Sequence, residues 1–421
     1  MRNPLAVNWL SWLFLLLNLF SAFYISKVED FQLWFVLLLS FNMMLGLAFA
    51  KRINNAVLFI SRILVGLLFI YSGFVKGVDP LGMQFRIEDY FYAYGTIWAL
   101  PLALGLSVFL NAFEFSLGAL ILTKIKARWV NILALLMMVF FTITTVNDAL
   151  NNPVPDCGCF GDALIITNWQ TLYKNLVIDA FIIVLALRGA DIKLKWPSQS
   201  QLLVFFAIVF GFVGFEYYNI QHLPVMDFRP WKVGYRLLPE NPKPVKYFLT
   251  YKNTQTGDTK EYLSKDLPWQ DSVFMADWKW LSSREVDPNF EEKRTFPMVD
   301  ADGNDWSSDI VQYEGGVLII SVYDIQKMTQ EEADKVKVLY TEAMKAGLEM
   351  ILLNSNTTDV YNEYKQKLGL PELDVYSSDD TALKAAIRSN PGLIVVKNAT
   401  VLAKYHVNDY PNIEVIKTIL K

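Results

Sequence analysis

Cys157 and Cys159 are the only thiols in a chain of 421 residues, and a single glycine separates them. They stand in Asp156-Cys157-Gly158-Cys159-Phe160-Gly161-Asp162, between two apolar segments long enough to cross a bilayer. Cysteines at i and i+2 close only a tight ring, and strained disulfides are the readily reduced ones. Three readings are open for the pair: reversible thiol–disulfide exchange, a permanent bridge or tight turn, and metal binding. So short a loop leaves a permanent bridge little chain entropy to remove. The two histidines, His222 and His406, are remote in sequence and no ligand spacing surrounds the cysteines, so no metal is expected. Exchange is therefore the leading reading, with Cys157 and Cys159 as the catalytic pair. The flanking Asp156 and Asp162 disfavour thiolate, and Lys76 is the basic residue expected to offset them.

Further ionisable residues fall at membrane depth, where charge is costly and usually functional. Arg62 and Glu114 each lie seven or eight residues inside the same end of their helices, roughly 10–12 Å deep at about 1.5 Å per residue. Equal depth predicts an Arg62–Glu114 ion pair; the alternatives are a snorkelling arginine and a neutral carboxyl. Asp148 falls close to the cysteine loop. Asp179, one turn beyond Asn175, reads either as a proton-relay member or as packing glue. Gly66, Gly73, Gly105 and Gly118 read as helix-packing contacts.

The elements that must position these groups are seven spanning candidates: Leu5–Ile25, Phe31–Ala50, Ala56–Val75, Ile97–Leu122, Val130–Val146, Thr171–Leu187 and Leu202–Tyr218. The first lacks the basic start and cleavage site of a signal peptide and reads as a helix. Glu88–Tyr94 reads as an interfacial aromatic helix. One side of the membrane receives Arg2, Lys51, Arg52, Lys124, Lys126, Arg128, Arg188, Lys193 and Lys195; the other receives Lys27, Lys76, Arg86 and Lys174. By the positive-inside rule the N-terminus is cytoplasmic, with the cysteine loop and the C-terminal half outside. Thiols there meet an oxidising compartment. The chain is 53% hydrophobic yet 19% charged, an apolar half joined to an ordinary globular one. A net charge of −4 gives no reason to expect nucleic acid.

Beyond residue 221 a proline-rich linker leads to a hairpin, Lys246–Tyr251 and Thr259–Leu263, around Thr256-Gly257-Asp258. A globular pattern starts near Thr295. Strands are expected at Gly316–Val322, Leu348–Leu353, Asp374–Tyr376, Leu393–Val396 and Val401–His406. Helices are expected from a Thr329/Glu332 capping box to about Ala346, over Thr358–Leu368, and over Thr381–Arg388. This order is an α/β sandwich pattern.

That order is similar to the thioredoxin fold, with Phe296–Gly303 resembling the lead-in of its peroxiredoxin-like members and Asn390-Pro391 its cis-proline. The resemblance puts the family's Cys-x-x-Cys near Ile325–Met328, where this chain has no cysteine, so it implies a redox-inactive copy kept for docking or for positioning another group. In the membrane half, Phe69–Lys76, Asp79-Pro80, Glu114 and Cys157–Asp162 resemble the DoxX/MauE family of four-helix membrane proteins over about residues 56–188. That resemblance implies roles in disulfide formation for a periplasmic enzyme (MauE-type) or in quinone-linked sulfur oxidation (DoxX-type), with a membrane quinone as the candidate cofactor.

The expected fold is thus a multi-pass α-helical membrane bundle of about seven helices followed by a soluble α/β thioredoxin-like domain. Its parts are a transmembrane hairpin (1–55), the four-helix bundle (56–190), an added transmembrane helix (191–220), a linker and β-hairpin region (221–294) and the periplasmic domain (295–421). The expected function is thiol–disulfide or electron transfer at the outer face of a bacterial inner membrane, through Cys157 and Cys159. Lys76, Glu114, Asp148, Asp156, Asp162 and Arg62 are the supporting residues. Its surroundings are the lipid bilayer and a periplasmic protein partner met by residues 221–421. The alternative is a non-enzymatic membrane assembly or binding protein.

Overall fold

Helix signals in the first half are strong and local. Asn54 Oδ1 accepts the Val57 N–H at 2.8 Å, Asp79 Oδ1 accepts the Gly82 N–H at 2.9 Å ahead of Pro80, and Thr167 with Gln170 forms a capping box. In the computed structural model these caps start three of eight helices: α1 (Pro4–Tyr24), α2 (Leu33–Phe49), α3 (Asn55–Val78), α4 (Pro80–Ala93), α5 (Ala103–Thr123), α6 (Ala127–Asn151), α7 (Asn168–Leu187) and α8 (Ser198–Gln221). All residues are described except 1–3, 190–193, 195, 230, 242, 287, 289–294 and 356–365, with backbone alone for 4–8. Among the described residues, seven helical stretches are long and apolar enough to cross a membrane, and α4 is the short one between them. The basic residues Arg2, Lys193 and Lys195 lie outside the described residues.

The chain divides into two units, Met1–Phe228 and Arg229–Lys421. In the first, α7 is central: 72% of its apolar window is buried, against 6% for α8. Large apolar side chains such as Leu37, Phe59, Leu67, Phe109 and Phe210 face outward, as a lipid-facing surface requires. Helices α3 and α5 approach through glycine. A methyl group on Gly118 would stand 2.7 Å from the Gly66 carbonyl oxygen, and one on Gly73 would stand 2.6 Å from the Phe115 nitrogen. Gly105 has nothing within 4 Å, so it is not the packing contact its spacing implied.

Hydrogen bonds tie the loops together by end. At one end Arg188 donates to the Ile53 carbonyl at 2.7 Å and Lys126 to Ser198 Oγ at 3.0 Å. At the other, Thr167 donates to the Glu29 carbonyl at 3.1 Å, Tyr173 to the Asp30 carbonyl at 3.1 Å, and Asn219 to the Gly77 carbonyl at 3.3 Å.

The second unit holds two sheets. Strands β1 (Lys246–Asn253) and β2 (Thr259–Leu263) form the expected antiparallel hairpin, and β3 (Trp278–Val286) adds to β1 in the order β2-β1-β3. The five-stranded sheet runs β6-β5-β4-β7-β8, from β4 (Val317–Val322), β5 (Glu349–Asn354), β6 (Asp374–Ser377), β7 (Gly392–Lys397) and β8 (Thr400–His406). Pairs β4–β5 and β5–β6 are parallel, whereas β4–β7 and β7–β8 are antiparallel. Between them run the short helices α9 (Ser272–Asp277) and α10 (Ser307–Gln312), then α11 (Gln330–Lys345), α12 (Asp380–Ala386) and α13 (Ile413–Leu420). The Thr329/Glu332 box caps α11, and the Asn390–Pro391 peptide is cis. Most of the helix expected over 358–368 lies outside the described residues. Residues 231–237, in the stretch read as a linker, bury Trp231 and Leu237 and bond along residues 399–401.

Gly118→Ala forces a methyl against backbone that cannot yield, so it should cost about 1–3 kcal/mol and lower the thermal unfolding midpoint of the detergent-solubilised protein. Gly105→Ala, in open space, should leave that midpoint unchanged or slightly raised.

Candidate functional site

The cysteine loop is folded by its own short-range bonds. Gly158 (φ +63°) and Gly161 (φ +52°) take left-handed conformations that favour glycine, and the Gly161 N–H donates to the Gly158 carbonyl at 2.9 Å. Asp156 Oδ1 accepts the Gly158 N–H at 2.9 Å, while its Oδ2 accepts Arg86 Nη2 at 2.7 Å. Arg86 comes from α4, which Asp79 and Pro80 start. Ser72 of α3 donates to the Cys159 carbonyl at 2.7 Å. Held this way, Cys157 and Cys159 form a disulfide with Cα atoms 5.5 Å apart. Cys157 is buried, its Sγ 3.7 Å from Thr171 Oγ1, and Cys159 is half-buried.

One turn beyond Ser72, Lys76 forms a buried ion pair with Glu114 of α5. The lysine is also 5.8 Å from the centre of the Phe141 ring. Lys174 of α7 lies 4.9 Å from the centre of the Phe160 ring, next to Cys159 in sequence. Both cysteines, Lys76, Glu114 and Lys174 line one cavity of about 560 Å³, walled by apolar groups such as Phe69, Leu110, Met138 and Ile178. A wider groove of about 1200 Å³ shares Lys174 and Phe160 with it but contains neither cysteine.

Asp148 reaches the cavity wall through Tyr90, whose hydroxyl donates to Asp148 Oδ2 at 2.7 Å. Burial, then the bond to Asp148, push the Tyr90 hydroxyl pKa up, so it remains a neutral donor. Asp162 stands in the turn Gly161–Ala163 beside a crevice that also touches Arg86 and Asp79. Asp179 accepts a hydrogen bond from Thr142 at 2.7 Å, and Asn175 donates to Thr145 at 3.1 Å, joining α6 to α7.

Two expectations about charge need correction. Glu114 pairs with Lys76 and not with Arg62. Equal depth would require the start of α3 and the end of α5 to lie in one plane, but the close Gly66–Gly118 approach sets their register and puts Glu114 beside the Gly73–Lys76 turn. Arg62 is buried away from the cavity, over the Phe59 ring at 5.2 Å. Nor is Lys76 the partner of Asp156: Arg86 meets that carboxylate, and Lys76 pairs with Glu114.

Sequence reasoning counted Lys174 and Arg86 as loop charges and passed over Ser72, Tyr90 and Glu216. In the second unit, Ile325 and Met328, at the positions where the resemblance would put a Cys-x-x-Cys that this chain lacks, are buried, and Asn390 accepts the Asp324 N–H at 3.1 Å.

Comparison with known proteins bears on the first unit. No curated protein and no solved structure matches the chain. Residues 54–190 match the model of a membrane-protein family, methylamine utilisation protein MauE, a span that runs from the cap of α3 to the end of α7 and contains the disulfide and the Lys76–Glu114 pair.

Proposed function

We propose that this chain is a membrane thiol–disulfide protein that passes electron pairs through Cys157 and Cys159 at the periplasmic face of a bacterial inner membrane. The observation that carries the reading is the shared cavity: both cysteines open onto the apolar space that holds Lys76, Glu114 and Lys174. The family match supports an accessory role in the membrane. The end of the bundle that gathers Lys51, Arg52, Lys126 and Arg188 is read as cytoplasmic, which turns the cysteine loop outward.

In the first half-reaction the half-buried Cys159 sulfur is attacked by a partner thiolate. A mixed disulfide forms as Cys157 leaves as a thiolate, the partner's second thiolate completes the partner's disulfide and releases Cys159, and the two departing thiolates take up from solvent the two protons that the partner's thiols shed on ionising. The partner loses two electrons and the pair gains them as two S–H groups. Returning to the disulfide needs a two-electron acceptor. About 560 Å³ of mainly apolar cavity, with a few polar groups, fits a lipid-soluble quinone ring. A quinone bound there would supply an acceptor for two electrons and two protons. Lys76 and Lys174 would orient it electrostatically, Tyr90 would donate a hydrogen bond, and Phe69 and Phe141 would exclude water.

The second unit is read as thioredoxin-like, supported by its mixed sheet order β6-β5-β4-β7-β8, and as a docking module. It has no cysteine in residues 229–421, which favours the rival reading of a non-enzymatic membrane assembly protein. Deleting 229–421 separates the two: a redox bundle retains thiol exchange, and an assembly protein retains none to lose.

Substituting both cysteines (C157S/C159S) should leave envelope dithiol substrates reduced in cells, scored by thiol trapping; an unchanged redox pattern counts against electron transfer. Replacing the ion pair together (Lys76→Met with Glu114→Gln) leaves no orphan charge. It should slow quinone-driven reoxidation of the reduced protein about 10-fold or more, the scale of one lost charged contact, while the disulfide still forms with a soluble oxidant.

A further inference from the structure

Helix α8 lies beyond the family-matched residues and buries only Phe212, Glu216 and Asn219, a stripe spaced i, i+4, i+7. Val204, Phe205 and Ile208 lean on the bundle core from nearer the start of the helix, but its fully buried side chains are these three, and they are centred on one carboxylate. Phe212 stacks on Phe115 of α5 with ring centres 4.0 Å apart, and Asn219 donates to the Gly77 carbonyl at 3.3 Å. Gly77 is what lets the helix come this close. A methyl group there would stand 2.5 Å from the Phe212 ring and 3.3 Å from Glu216 Cγ. Glu216 is fully buried, and neither of its oxygens meets the geometry of a hydrogen bond; the polar groups it faces are the Asn111 amide and the Lys76 ammonium. A carboxylate buried with so little hydrogen bonding is costly, and the apolar contacts of α8 through Phe205, Ile208 and Phe215 do not call for one.

The titratable groups around it are few. From α3 it faces Lys76, and through Lys76 it reaches Glu114 of α5. The charges of α4 are turned elsewhere, Arg86 to Asp156 and Asp89, and Glu88 to Gln84. Lys76 is thus flanked by two carboxylates, one from inside the family-matched segment and one from outside it.

We propose that Glu216 is the second proton-holding residue of the disulfide site. The inference rests on the electron-transfer reading above. Closing the disulfide breaks two S–H bonds and makes one S–S bond, releasing two electrons and two protons, and both pairs end on the two oxygens of a quinone. A single carboxylate neutralised by a lysine holds one proton at a time. With Glu114 and Glu216 on either side of Lys76, the second proton is held by Glu216 and given up again, so neither carboxylate is left bearing two.

The test uses reduced full-length protein in lipid nanodiscs, reoxidised by a short-chain benzoquinone and followed by thiol trapping. Glu216→Gln should leave the half-saturating quinone concentration unchanged and lower the saturated rate about 100-fold, the lower end of general acid–base assistance. It should also remove one limb of the pH–rate profile, and Glu216→Asp should restore most of the rate. A Glu216→Gln protein with the wild-type rate and pH profile overturns the proposal. So does a Glu216→Asp protein as slow as Glu216→Gln, the mark of a packing role. Should Glu216→Gln fail to assemble, Glu216→Asp decides alone: a displaced pH limb supports the proposal and a wild-type profile overturns it. Failure of the wild-type pair to be reoxidised by the quinone sinks the electron-transfer reading itself, and this inference with it.

Discussion

Taking an ammonium and a carboxylate out of water costs several kcal/mol per ion, recovered only when geometry holds the two together. The Lys76–Glu114 pair lives under that constraint, and much of the membrane unit follows from it. It sits between α3 and α5, the two helices whose glycines let their backbones touch. On α3, Ser72, Gly73 and Lys76 fall within little more than one turn. The first holds the Cys159 carbonyl, the second meets Phe115, and the third carries the charge. A single turn of helix thereby fixes the distance between the sulfurs and the ion pair. The charge pair and the disulfide thus share the wall of one mainly apolar cavity, which in the proposed account lets protons move alongside electrons.

The two units divide labour in the proposed account. All the sulfur chemistry belongs to the membrane unit, where 54–190 carry the family match. The second unit offers two sheets and no thiol. Ile325 and Met328, in the loop after β4, belong to the apolar core that β4 packs into.

Much of this architecture was legible in the sequence because its signals are local. The spans are long apolar runs, the Thr329/Glu332 box caps α11 as its spacing implies, and the β4–β8 order follows from buried runs between turn residues. The cysteine pair was legible for the same reason. Partner choice at depth was not, because it depends on helix register: counting residues from the helix ends paired Glu114 with Arg62, and glycine packing moved it to Lys76. Strand β3 was missed because Trp278–Val286 is largely exposed and carries no core-facing alternation. Glu216 was missed because one carboxylate in an apolar helix gives no hint of what it faces.

The central claim is that the Cys157–Cys159 bond opens and closes under biological redox conditions. Equilibrating the full-length protein in lipid with dithiol/disulfide buffers of graded potential, then counting trapped thiols, measures this directly. The account predicts a reversible two-electron transition with a midpoint above about −300 mV, the side of the scale occupied by exchanging pairs. A pair that stays closed well below that potential would be a fixed structural link, and the account would be contradicted.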